Sequence, residues 1–115
     1  MKSPAEYVQI VERLCRTLTQ KNDEYGTLAD TRALAEKEYK MAVREQVLRH
    51  KSDGHPATLI PKLVEGHKLV AELKFKMDVA DALVRANIES CRSAVNQIDA
   101  ARSILSWLKQ ELGGH

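Results

Sequence analysis

The chain has 115 residues, 43% of them hydrophobic, but only 4% are aromatic, and it carries five glycines and three prolines. Few aromatics, few helix breakers and abundant Ala, Leu, Lys, Glu and Arg fit an all-α protein and exclude a sandwich or a doubly wound sheet. With 18 basic and 16 acidic residues the net charge is +2, a balanced solvated surface and not that of a strongly basic nucleic-acid binder.

The first element starts at Ser3. Ser3 followed by Glu6 matches a capping box, and Pro4 occupies the first helical position, where a missing N–H costs nothing. Apolar residues follow at Val8, Val11, Leu14, Cys15 and Leu18, and continue through Tyr25, Leu28, Ala35, Tyr39, Ala42 and Val43. Arg32 and Gln46 interrupt one sevenfold row and Lys21 interrupts its companion, so this helix carries the weaker seam. Gly26 costs about 1 kcal/mol relative to Ala inside a helix, and a bend or frayed turn is expected over residues 22–27, not a domain boundary. The first helix spans about residues 4–51.

The real break is Lys51-Ser52-Asp53-Gly54-His55-Pro56. Gly54 suits a helix C-terminus, and Pro56 prevents continuation. A turn over about 52–58 leads to a second helix over about 59–112, with Thr58 as its expected cap, Pro61 in its first turn and Gly113-Gly114 as its stop.

The second helix carries the strongest pattern in the chain. Leu63, Val70, Met77, Val84, Cys91, Ile98, Leu105 and Leu112 are spaced seven apart, and a companion row runs Gly66, Leu73, Ala80, Asn87, Ala94, Ala101 and Leu108. An apolar seam of period 3.5 has to be buried against another helix. A short loop between long helices makes them antiparallel neighbours. The expected fold is therefore one all-α domain over residues 1–115, an antiparallel helical hairpin with coiled-coil packing. Pairing outward from the loop sets Tyr39 near Val70, Arg32 near Met77, Tyr25 near Val84 and Leu18 near Cys91. Arg32 then falls close to Asp78 and Asp81.

A second apolar set lies off that seam: Leu69, Val79, Leu83, Ala86, Ile104 and Trp107, with Phe75 added. Surplus apolar surface marks an association face. We assign association to Leu63, Val70, Met77, Val84, Ile98 and Leu105 on the seam and to Leu69, Val79, Leu83 and Trp107 beside it. The expected assembly is a homo-oligomer, most simply a dimer of hairpins forming a four-helix bundle; another protein could occupy the same face.

The order of elements also resembles a set of small coiled-coil proteins encoded by bacteriophages and prophages. The resemblance spans about residues 30–112 and rests on the turn Gly54, Pro56, Ala57, Thr58, Ile60, Leu63 and Gly66, which reads G-x-PAT-x-I-x-x-L-x-x-G. It implies a phage accessory protein in the cytoplasm of a bacterial host, in a setting near DNA metabolism, and it carries no catalytic residue across.

Chemistry is sparse. His50, His55 and His67 surround the turn near Asp53, a donor set that zinc uses, but their spacing matches no known ligand signature, and we read them as polar loop and cap residues. Cys15 and Cys91 fall on apolar positions and read as small hydrophobes, although the register brings them close enough for a cross-helix disulfide to be conceivable. No Glu-x-x-His is present for a di-metal site. No catalytic residue, cofactor or metal is assigned, and the chain reads as non-enzymatic. Arg44, Arg49, Lys51, Lys62 and Lys68 converge on the turn and form the competing reading: sequence-independent nucleic-acid binding through a basic tip, without aromatics for base stacking. No signal peptide and no run of about 20 apolar residues is present, so the expectation is a cytoplasmic protein without a membrane partner.

Overall fold

A computed structural model describes residues 1–113. Three helices account for nearly all of it: α1 over Pro4–Ser52, α2 over Ile60–Glu65 and α3 over Lys68–Gly113. There is no strand among the described residues. The long helices α1 and α3 pack against each other as an all-α helical hairpin, as expected from the apolar periodicity.

Local chemistry sets the boundaries of α1. The Ser3 Oγ accepts the Glu6 backbone N–H at 3.2 Å, and the Ser3 N–H donates to Glu6 Oε1 at 3.2 Å, closing the capping box reciprocally. At the other end Gly54 takes φ +82°. The Gly54 N–H bonds the Lys51 carbonyl and the His55 N–H bonds the His50 carbonyl, the paired closure of a Schellman turn. The expected frayed turn at residues 22–27 does not form: α1 passes through Gly26 as continuous helix. The helical ladder on both sides outweighs the propensity of one glycine.

The second expected helix is two helices. α2 ends at Gly66, whose N–H bonds the Lys62 carbonyl, and α3 begins with the Ala71 N–H on the His67 carbonyl at 2.9 Å. Glycine is a weak helix former, and the break at Gly66 and His67 resets the phase of the apolar rows. Ile60 and Val64 are therefore the buried residues of α2, while Leu63 is half-buried. Thr58 is not the cap: Leu59 takes that position in the αR region with no side-chain bond, and the Pro56 carbonyl accepts the N–H groups of Leu59 and Ile60 instead.

The chain divides into two compact units. One comprises Thr27–Val84, the other Met1–Gly26 with the chain from Arg85 on. In the unit of residues 27–84 the core is Ala42, Ile60, Val64 and Val70, flanked by Tyr39, Val43, Val47 and Leu73; Ala35, Ala80 and Val84 are also buried. The cross-helix pairs Arg32–Asp81 at 3.4 Å and Glu38–Lys76 at 3.1 Å run in opposite directions along the two helices, so the segments are antiparallel. In the other unit Leu14, Asn87, Ala94 and Ala101 are buried, and Lys21 and Asn22 of α1 meet Asn87 and Cys91 of α3.

Candidate association surface and hairpin turn

The seam residues split by depth. Val70 and Val84 are buried, while Met77, Ile98 and Leu105 are half-buried. The companion row is buried at Ala80, Asn87, Ala94 and Ala101, and its alanines let the two backbones approach. Leu112, the last member of the seam, is exposed.

Beside the seam the surface is apolar. Leu69, Val79 and Leu83 of α3 are all exposed. The periodicity of α1 contains a matching row outside the seam. Leu34, Met41 and Leu48 are spaced seven apart, and all are more than half exposed, Met41 at 62%. Met41 and Leu48 share a shallow groove of about 600 Å³ with Leu69 and Leu73, rimmed by Glu38, Arg44 and Glu45. One flank of this unit thus gathers apolar side chains from both helices. In the other unit Trp107 is half exposed, and Leu105 and Leu112 line a separate groove with Pro4 and Lys109.

The opposite flank of residues 27–84 carries a groove of about 670 Å³ between the helices and under α2. It is walled by Val43, Val47, Ile60, Val64 and Val70 and edged by Tyr39, Lys51, Glu65 and Lys74. Lys74 lies 6.0 Å from the Tyr39 ring centroid and donates to Asp78 Oδ1 at 2.8 Å. That hydrogen bond, opposed by desolvation and aided by the charge of the same carboxylate, holds the Lys74 ammonium above its ordinary range.

The five basic residues assigned to the tip are all exposed and come from three elements: Arg44, Arg49 and Lys51 from α1, Lys62 from α2 and Lys68 from α3. They do not form an uninterrupted positive surface. Arg49 pairs with Glu45 at 3.6 Å, and Lys51 shares its groove with Glu65.

The histidines at the turn are organised more closely than their spacing indicates. The Schellman turn folds His55 back on His50, with ring centroids 5.2 Å apart and edge-to-face. Ligand atoms of His50, Asp53 and His55 all lie within 4.8 Å of one another. Both ring nitrogens of His50 are shielded from solvent without a hydrogen-bond partner, and so is Nδ1 of His67. Cys15 and Cys91 are free thiols; the Cys91 Sγ approaches Asn22 Oδ1 at 3.5 Å.

No helix among the described residues is long and apolar enough to cross a membrane. No family model matches the sequence, and no curated protein or solved structure is similar to it.

Proposed function

We propose that this chain is a non-enzymatic helical assembly protein whose hairpin associates with a second copy of itself through the flank formed by Leu34, Met41, Leu48, Leu69, Val79 and Leu83. The observation that carries the reading is the presence of exposed apolar rows on both α1 and α3, with members of each lining one groove. A hairpin that buried its apolar residues in its own seam would have no use for them. A two-fold axis laying this flank on its own copy gives a four-helix bundle with coiled-coil packing. The resemblance of the turn to phage and prophage coiled-coil proteins supports a setting as an accessory protein in a bacterial cytoplasm.

Light scattering across about 1–100 μM tests the reading. The parent chain should give the mass of a dimer or larger, and Met41→Glu with Leu69→Glu should give a monomer of unchanged helicity. A monomeric parent throughout that range would overturn self-association.

A further inference from the structure

We propose that His50, Asp53 and His55 form a binding site for a zinc-type divalent metal ion at the end of α1. This is independent of the association reading, since none of the three residues belongs to the apolar flank. Three observations converge on the site. First, Nδ1 or Nε2 of each histidine and a carboxylate oxygen of Asp53 lie within 4.8 Å of one another. Second, neither ring nitrogen of His50 has a hydrogen-bond partner or solvent contact. A buried imidazole normally engages at least one of its nitrogens, so an acceptor of its lone pair is missing. Third, the fold fixes the backbone of the set. His50 lies in the last turn of α1, and the His55 N–H bonds the His50 carbonyl at 3.2 Å, which holds the two rings face to edge.

The donor set selects the class of ion. Two imidazoles and one carboxylate suit zinc and its neighbours, whereas magnesium and calcium require mostly oxygen ligands. Bonds of 2.0–2.1 Å in a tetrahedral site place ligand atoms ~3.3 Å apart. Asp53 and His55 are exposed, so rotation of their side chains can close the remaining distance around the more fixed His50 ring. Three protein ligands leave one tetrahedral position for water or for a group from another molecule. The bound ion would tie the end of α1 to the turn leading into α2. His67 is not among the three clustered residues, although its Nδ1 is also unpartnered.

Titration of the full chain with Zn²⁺, followed by NMR of the histidine rings, tests the assignment. The His50 and His55 signals should shift together and saturate at one ion per chain, while those of His67 move less. Mg²⁺ at equal concentration should leave all of them in place. Asp53→Asn with His55→Ala changes only exposed side chains, so helicity should be retained while Zn²⁺ affinity at His50 falls by ~100-fold or more, beyond the usual loss of an outer-sphere partner. Zn²⁺ that leaves the His50 and His55 signals unmoved, an equal response to Mg²⁺, or undiminished affinity in the double variant would each overturn the site.

Discussion

The Asn87 side-chain amide reaches across from α3 and donates to the backbone carbonyl of Lys21 in α1 at 2.9 Å. Asn87 is a buried polar residue in a row otherwise made of glycine, alanine and leucine. A single amide in an apolar seam fixes alignment, because any slip of the helices leaves it buried and unpaired. Asn87→Ala should lower the free energy of unfolding by about 1–2 kcal/mol. Asn87→Asp should cost more, since it sets an unpaired acceptor against the Lys21 carbonyl. Urea denaturation followed by circular dichroism ranks the two, and an Asp variant as stable as the Ala variant would show that this amide does not set the alignment.

Val84 has 0% exposure. A carboxylate there would be buried without a partner, and Val84→Asp should destabilise the chain by several kcal/mol. Glu89 offers the contrast. It pairs with Arg92 at 2.7 Å on the open surface, where each side chain is 65% exposed, and such pairs contribute at most about 1 kcal/mol. Glu89→Lys should therefore change the thermal midpoint little. Equal melting of the Val84 variant and the parent would show that the seam is not closed.

Two glycines should respond to alanine with opposite signs. Gly54 holds φ +82°, where a side chain is strained even though the space around it is open. Gly54→Ala should cost about 1–2 kcal/mol. Gly26 sits in the interior of α1 and faces open space. Gly26→Ala should stabilise by about 0.5–1 kcal/mol through helix propensity and a less free unfolded chain. Paired thermal melts of the two variants check both signs.

These contrasts show which parts of the fold were legible in the sequence. The capping box at Ser3 and Glu6 and the turn at Gly54 follow from rules that act over a few residues, and the contact of Arg32 with Asp81 follows from the antiparallel pairing counted outward from the loop. The break at Gly66 was not legible in the same way. A heptad count runs through any residue that is not charged, so Leu63 fell into the row of Val70, although α2 and α3 are separate helices with different phases. Leu34, Met41 and Leu48 were readable as a sevenfold row but lie outside the buried seam. The cluster of His50, Asp53 and His55 depends on a backbone reversal, and linear spacing compared with familiar ligand signatures cannot show it.

The basic tip decides between the proposed assembly role and nucleic-acid binding. Arg44, Arg49, Lys51, Lys62 and Lys68 are exposed around the turn, but Glu45 already engages Arg49 at 3.6 Å, and Asp53 and Glu65 are interspersed among them. Affinity for a phosphate backbone comes from counterion release, with a salt slope of about 0.9 per phosphate neutralised. The four tip cations other than Arg49 give only weak binding by that measure. Burial of the apolar flank, by contrast, is not screened by salt. Replacing Arg49, Lys51 and Lys62 by Glu should therefore leave the oligomer mass unchanged, and raising salt from about 50 to about 200 mM should not dissociate the parent chain. Single- and double-stranded probes should show no shift at tens of micromolar protein in ~50 mM salt. A shift that disappears by ~200 mM salt and is abolished in the triple variant would assign the tip to nucleic acid instead. Loss of oligomer mass in the triple variant would place the tip within the association surface and redraw that surface around it.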